Sequence, residues 1–221
     1  CAARRALPGF GHPIHKPEDP RAWRLLELAE ALGISGRFVV GYIGTHGLAH
    51  SLETMVEAAR AAEGKEEFSD VYFITVGSGA CFEALRRRAS DLSNFRMIGQ
   101  IKHDDIFKYW SILDATVIHL RDAPLFRTVI PSKLFEAMAA GVPVLHGVRG
   151  ESEEIVRSKK VGVCFTPQDP LSLLEAIRRM RTHDSCEDFK INCLEGAKDY
   201  DRETFADTML ICLEELKAKH V

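Results

Sequence analysis

Six short apolar segments alternate with segments of helical spacing along the middle of this chain, and this alternation limits the possible folds. The apolar segments have strand length and cover residues 38–43, 71–76, 95–98, 115–120, 142–148 and 161–165. Short apolar strands that alternate with helices are typical of a parallel sheet covered by helices on both faces. The sequence therefore predicts an α/β fold with a doubly wound, six-stranded, Rossmann-like parallel sheet in the order 3-2-1-4-5-6.

The two ends of the chain differ from this alternating region. Residues 1–20 contain four of the nine prolines, a composition typical of a linker rather than of a core element. From Leu171 onward the spacing of apolar residues is helical. We therefore predict a linker over residues 1–20, a Rossmann-like domain over residues 21–183 and carboxy-terminal helices over residues 184–221.

One predicted helix, which begins at Pro131, combines several signals for an anion site. Proline fits the first position of a helix, and Gly141 fits the position just past its end. Lys133 and Glu136 are three residues apart and are therefore neighbours on the helix surface. Free N–H groups and the helix dipole favour negative charge at a helix start. The sequence thus predicts anion binding here, at the carboxyl edge of the sheet where open α/β sheets bind ligands.

Glycine turns follow the first two predicted strands, as Gly44-Thr45-His46-Gly47 and Gly77-Ser78-Gly79. A glycine turn between strand and helix lets backbone N–H groups approach a phosphate, although a plain strand–helix turn has the same composition. The second turn begins like the dinucleotide fingerprint G-x-G-x-x-G, but Phe82 occupies the third glycine position, which argues against a dinucleotide site. His46 and His50 are not interpreted as a metal pair, because no third ligand accompanies them.

The composition argues against several classes of protein. The chain has 221 residues and a formal net charge of −3, whereas a dedicated nucleic-acid-binding protein would show a basic excess. No apolar run approaches the roughly 20 residues of a transmembrane helix, and the first residues lack the apolar core of a signal peptide. The six cysteines form no Cys-x-x-Cys pair, so we expect reduced thiols in a cytoplasmic protein. Because the chain begins at Cys1 rather than methionine, we expect a fragment or a processed product.

Three segments around the Pro131 helix form a pattern of a basic or small-residue loop, a helix with a glutamate, and a small-Gly-x-Pro-Val segment. They are Phe126-Arg127-Thr128, Glu136-Ala137-Met138-Ala139 and Ala140-Gly141-Val142-Pro143-Val144. This pattern resembles the nucleotide-sugar site of GT-B glycosyltransferases, in particular the retaining family 4 (group 1 type), and Pro-Ser-Lys resembles the subgroup that makes bacterial surface polysaccharides. The resemblance covers most of the chain. It implies the carboxy-terminal, donor-binding half of an enzyme that transfers a sugar from a nucleotide diphosphate sugar to an acceptor hydroxyl.

The resemblance also implies roles for individual residues. The Glu136 carboxylate would accept hydrogen bonds from the ribose hydroxyls, because a carboxylate accepts two donors at once. Lys133 and Arg127 would stabilise the leaving diphosphate without a metal or another cofactor. The donor, which we expect to be UDP-linked, would also contact loop residues along the cleft, with the backbone at Ile101 facing the base. These loop residues are Gly44, Thr45, Gly47, Gly77, Gly79, Gln100, Ile101, Thr128 and Val129.

Two positions depart from the family pattern. Thr128 stands where the family has a first glutamate, eight residues before Glu136, and His50 and Ser51 stand where many members have a lysine or an arginine. Two alternatives stay open: half of a sugar-nucleotide epimerase, and a non-catalytic nucleotide-binding module. The expected partners are the nucleotide-sugar donor and an amino-terminal acceptor domain, without nucleic acid. A cytoplasmic location is expected, and peripheral association of the full-length enzyme with the inner face of a membrane is left open.

Overall fold

The computed structural model describes residues 27–181, 183–201, 209–211 and 213, and the predicted linker over residues 1–20 lies outside them. Strands and helices alternate along the described chain, beginning with helix α1 over residues 27–32. The strands are β1 Phe38–Ile43, β2 Val71–Val76, β3 Phe95–Ile98, β4 Ala115–His119, β5 Val144–Gly147 and β6 Gly162–Cys164. The other helices are α2 Glu53–Ala62, α3 Phe82–Arg88, α4 Ile106–Trp110, α5 Lys133–Ala139, α6 Glu151–Lys159, α7 Pro170–Met180 and α8 His183–Ala197.

The six strands form one parallel sheet in the order β3-β2-β1-β4-β5-β6, which confirms the predicted order. β1 and β2 pair along their full length, from Phe38 opposite Val71 to Ile43 opposite Val76. β1 and β4 pair over a shorter stretch that ends at Gly41 opposite Thr116. The direction of winding reverses between β1 and β4, and this reversal opens a crevice at the carboxyl ends of these strands.

Both faces of the sheet are buried, because helices cover each of them. Every residue of β1 and β2 is buried. Successive residues of β1 point to opposite faces: Val40 and Tyr42 pack in the hydrophobic cluster that contains α2 and α7. Val39 and Ile43 pack in the cluster that contains α5 and α8.

Helix α5 is held between the sheet and α8, and its charged residues remain at the surface. Leu134, Ala137 and Met138 are fully buried against the sheet. Gly141 follows the helix with φ +67, the left-handed conformation predicted for the residue past its end. The packing of α5 fixes the part of the helix surface that carries Lys133 and Glu136.

The boundaries of several elements differ from the sequence prediction. The helix expected from Pro131 begins at Lys133, because the Pro131 carbonyl instead accepts a hydrogen bond from the Leu134 N–H (2.9 Å) in a preceding turn. The helix expected directly after the first glycine turn is divided into a 3-10 turn and α2, because Ser51 adopts φ +45 between them. β4, β5 and β6 are shorter than their apolar segments, whose outer residues are buried just beyond the ends of the strands.

The region predicted to contain carboxy-terminal helices begins with α8 and a 3-10 turn at Lys198–Tyr200. Beyond Asp201 the structure describes only residues 209–211 and 213, so most of the predicted terminal helix lies outside the described residues. Within the described part of the chain, no helix combines the length and the apolar character needed to cross a membrane.

Candidate functional site

The candidate site lies at the crevice between the first glycine turn and the start of α5. The Lys133 side chain reaches this turn: a β-carbon placed on Gly44 would lie 3.5 Å from its Cε. The Lys133 ammonium donates to both oxygens of Glu136, at 2.9 and 2.7 Å. The structure therefore brings together three of the predicted residues, and the two charged side chains are partly accessible, at 33% and 42% exposed.

The start of α5 offers fewer free N–H groups than the sequence predicted. No side chain caps the helix at Ser132. The N–H groups of Leu134 and Phe135 instead donate to the carbonyls of Pro131 and Ser132, at 2.9 and 3.1 Å. The prediction of a backbone anion site at this helix start is therefore wrong for these two groups, because a 3-10 turn already uses them. The positive charge at this position belongs to the Lys133 side chain.

The two glycine turns pack directly against each other at the ends of β1 and β2. The His46 N–H donates to the Ser78 carbonyl at 2.9 Å. A β-carbon on Gly77 would clash with the Gly44 carbonyl, and one on Gly79 would lie 2.7 Å from the His46 carbonyl oxygen. The absence of a side chain at Gly77 and Gly79 therefore allows the turns to form one surface beside the crevice.

A hydrogen bond from the Tyr42 hydroxyl further fixes the first turn. It donates to the Thr45 carbonyl at 2.8 Å. Burial raises the pKa of Tyr42 far above its usual value, so the hydroxyl keeps the proton that it donates. In the same turn Thr45 is exposed and Gly47 is half-buried, so the backbone of the turn is accessible from the crevice.

Arg127 lies in a different part of the crevice, next to the loop after β5. It belongs to the 3-10 turn Pro124–Thr128, in which Thr128, like the following Val129, is exposed. A β-carbon on Gly150 would clash with the Arg127 carbonyl, so the two loops are in contact.

The Asp122 carboxylate joins two arginines at this place. It lies 3.9 Å from the Arg127 Nη2 and 3.3 Å from the Arg149 Nε. Neither Asp122 nor Arg149 was among the site residues predicted from the sequence. A signal for them was present, because these residues closely follow β4 and β5, two neighbouring strands whose carboxyl ends meet at the same edge.

Gln100 and Ile101 lie away from the other predicted residues. They follow β3, which is separated from β1 by β2. Gln100 is exposed, whereas Ile101 is half-buried. Ile101 lines an open cavity of about 510 Å³ together with Leu28 and Tyr109, among others. The role proposed for Ile101 therefore requires the donor to extend across the carboxyl ends of two strands.

Buried histidines lie beneath the carboxyl edge but add no positive charge to the site. His119, which is 2% exposed, accepts a hydrogen bond from the Gln168 N–H at 2.9 Å. Burial lowers the pKa of His119 to about 4 and that of His146 to about 4. Burial is also the main cause that lowers the pKa values of His46 and His50. These rings are therefore neutral near pH 7, and Lys133, Arg127 and Arg149 supply the local cations.

The part of the chain that the structure describes contains no group of three or more histidine, cysteine or acidic residues arranged to hold a metal ion. The four cysteines that it describes are free thiols, and Cys193 among them is fully buried. Its Sγ lies 3.4 Å from the Val161 carbonyl oxygen, in the core beneath α8.

The sequence matches the family described as Glycosyl transferases group 1 over residues 37–183. This match covers well over half of the chain, and the chain therefore belongs to this family of glycosyltransferases. No curated protein matched the sequence.

Solved structures of GT-B glycosyltransferases share the fold. HepE (Alr3699) from Anabaena, solved in complex with UDP and glucose, has a TM-score of 0.71 and 20% identity, covering 86% of this chain and 51% of that chain. Sucrose-phosphate synthase from Thermosynechococcus elongatus has a TM-score of 0.66 and 21% identity. The match covers 88% of this chain and 49% of the synthase. WaaG, a glycosyltransferase involved in lipopolysaccharide biosynthesis, has a TM-score of 0.63 and 17% identity. The match covers 78% of this chain and 46% of WaaG. The chain thus spans about half the length of these proteins.

Proposed function

We propose that the chain is the donor-binding half of a glycosyltransferase that moves a sugar from a UDP-sugar to an acceptor hydroxyl. The observation that carries this proposal is the position of Lys133, which is paired with Glu136 and reaches Gly44 at the switch in strand order. A cation and a carboxylate at this point suit a ligand that contains both an anion and hydroxyl groups. Membership of the glycosyltransferase family supports this function over the epimerase alternative. The complex of HepE with UDP-glucose supports the choice of UDP.

Each predicted residue has a defined task in this proposal. Glu136 accepts hydrogen bonds from the ribose hydroxyls, and Lys133 neutralises charge on the diphosphate. Arg127, together with Arg149, stabilises the charge that develops as the diphosphate leaves. Such groups accelerate transfer because they are already oriented before the charge appears. Ile101 presents backbone groups to the base.

Thr128 and the glycine turns complete the proposed donor site. Thr128 occupies the position of a glutamate in the family pattern, so we assign it and Val129 to the part of the cleft that holds the sugar. Gly44, Thr45, Gly47, Gly77 and Gly79 line the diphosphate, and Gln100 lies beside the base.

We also propose a role in the synthesis of bacterial surface polysaccharides, because Pro-Ser-Lys and the adjoining helix resemble the transferases of that subgroup. We propose transfer with retention of anomeric configuration, as in family 4. We further propose that an amino-terminal domain binds the acceptor. The full-length enzyme would act in the cytoplasm, and a lipid-linked acceptor would bring it to the inner face of the membrane.

Titration calorimetry with a panel of nucleotides tests the donor assignment. We expect UDP to bind more tightly than GDP or ADP, with the same affinity in the presence of a metal chelator, because side-chain cations and N–H groups bind the diphosphate. Failure of the whole panel to bind would contradict the proposed function. Binding that requires added Mg²⁺ or Mn²⁺ would contradict only the metal-free site.

Replacement of Glu136 by alanine is expected to weaken UDP binding about 10- to 150-fold. This range corresponds to the loss of a charge-assisted hydrogen bond worth roughly 1.5–3 kcal/mol. The fold should be unchanged, since Glu136 is exposed on α5. Calorimetry of the variant would measure its UDP affinity, and thermal melting would show whether its fold is unchanged.

Glu195 provides a matched control for this experiment. It forms an equivalent exposed pair with a lysine three residues away, with Lys198 Nζ at 2.9 and 2.8 Å from its two oxygens. Glu195→Ala should leave UDP affinity unchanged. Equal UDP affinity of Glu136→Ala and the parent chain would exclude Glu136 from the donor site.

A further inference from the structure

His46 is a fully buried histidine within the first glycine turn, and the proposed donor contacts do not use its side chain. Its ring packs edge-on against Phe82 and Tyr42, with centroid distances of 5.4 and 5.8 Å. Neither ring nitrogen has a hydrogen-bond partner of normal geometry among the described residues. A buried polar group in this state is uncommon, so its presence between two glycine turns calls for a functional explanation.

The surroundings of His46 determine the orientation of two peptide groups. The Ser78 carbonyl accepts a hydrogen bond from the His46 N–H, and the carbonyls of Ser78 and Gly44 are near enough to the ring to favour its protonation. Burial outweighs their effect, so the pKa of His46 is lowered and the ring is neutral. The Ser78 carbonyl thus faces the His46 backbone. The Gly44 carbonyl lies on the His46 side of its turn, because a β-carbon on Gly77 would lie 2.0 Å from the Gly44 oxygen and 3.4 Å from the His46 Nδ1.

In a planar trans peptide the N–H group points away from the preceding carbonyl. The N–H groups of Thr45 and Gly79 follow the carbonyls of Gly44 and Ser78, so they point away from His46. Thr45 and Gly79 are exposed. Among the hydrogen bonds between described residues, neither of these N–H groups acts as a donor. Two free donors from adjacent turns are therefore directed away from the buried ring, and the Lys133 side chain lies beside the first of these turns.

We propose that His46 is a positioning residue that holds the two glycine turns so that the N–H groups of Thr45 and Gly79 bind the diphosphate of the donor. This inference rests on the proposed function, because it assigns the diphosphate to this edge of the sheet. The neutral ring acts from below, against the carbonyl side of both peptides, and touches no part of the donor. Paired backbone N–H groups of this kind form an anion-binding concavity.

Affinities for UDP and for uridine, measured on the 221-residue chain, separate the diphosphate contribution from that of the base and the ribose. His46→Phe keeps an aromatic ring between Tyr42 and Phe82 but removes both nitrogens. The two peptides should then lose their fixed orientation, so that a backbone N–H group no longer binds the charged diphosphate. UDP affinity should fall about tenfold or more, with little change in uridine affinity. His46→Gln restores one donor and one acceptor. It should recover part of the ratio of UDP affinity to uridine affinity that the parent chain shows.

His146 provides the control, because it is also fully buried and also has an unpartnered ring nitrogen. His146→Phe should lower thermal stability without changing the UDP-to-uridine ratio. An unchanged ratio in both His46 variants, or an equal loss of UDP and uridine affinity, would overturn the role of His46 while leaving the proposed function in place. If His46→Phe does not fold, His46→Leu takes its place as the variant without ring nitrogens, and an unchanged UDP-to-uridine ratio in His46→Leu overturns the role of His46. Failure of the parent chain to bind UDP would overturn both proposals.

Discussion

The 221-residue chain is expected to bind UDP-sugar without transferring the sugar. It spans about half the length of the solved glycosyltransferases that share its fold. In the proposed function the acceptor and any general base approach from an amino-terminal domain. Alignment of two reactants by an enzyme lowers the barrier by ~7–11 kcal/mol, and this contribution would be lost without the acceptor domain. Donor affinity would persist in part, because Lys133, Glu136 and the glycine turns all belong to the present chain.

An assay with labelled UDP-glucose and lipid-linked acceptors measures whether the chain transfers the sugar. The chain would be incubated alone and together with a second chain that supplies an amino-terminal domain. We expect product only in the second case, and calorimetry of the chain alone provides the control for donor binding. Sustained transfer by the 221-residue chain alone would refute the division of labour between two domains.

Mild acid is expected to destabilise the fold strongly, because His119 and His146 are buried as neutral rings. Their pKa values are about 4 in the folded protein, against 6.5 in a model compound. Well above pH 6.5 the rings are neutral in both states, and the full stability is present. As the pH falls from 6.5 towards 4, the unfolded chain takes up protons that the folded protein does not bind, so stability is lost. Each histidine would contribute a loss of ~3 kcal/mol over this range.

Urea unfolding from about pH 8 to about pH 5 would measure this loss of stability. His146→Leu should have a weaker pH dependence than the parent chain over the acid part of this range. The exposed His103 is the control, and His103→Gln should keep the pH dependence of the parent. A parent chain whose free energy of unfolding is constant between pH 6.5 and 5 would show that these rings are not buried as neutral groups.

The sheet could be predicted from the sequence because its four central strands, β1, β2, β4 and β5, are buried on both faces. An apolar run bounded by turn residues then marks a strand directly, and β1, β2 and β3 have the predicted bounds. The strand order is the common one for a doubly wound sheet with six parallel strands. Exact boundaries are harder to predict at β5 and β6, where flanking residues such as Val142 and Val161 are buried without extending the strand.

The candidate site was less predictable, since it depends on contacts between segments that are distant in the sequence. Lys133 and Glu136 could be paired from helical spacing alone, whereas the approach of Lys133 to Gly44 could not. The Asp122 link between Arg127 and Arg149 depends on the meeting of two loops. The hydrogen bonds of Leu134 and Phe135 depend on the local turn geometry, which the proline signal does not specify. The burial of His46 depends on the contact between the two glycine turns.

The most direct test of the central claim is an NMR titration of the isotopically labelled chain with UDP, followed through the backbone amide signals. The proposed site predicts that the largest shifts occur at Thr45, Gly79 and the segment from Lys133 to Glu136, with smaller shifts near Ile101. Amides of α7, which covers the opposite face from α5, should not move. Shifts centred on α7, or an absence of shifts in both glycine turns under saturating UDP, would contradict a donor site at the crevice between β1 and β4.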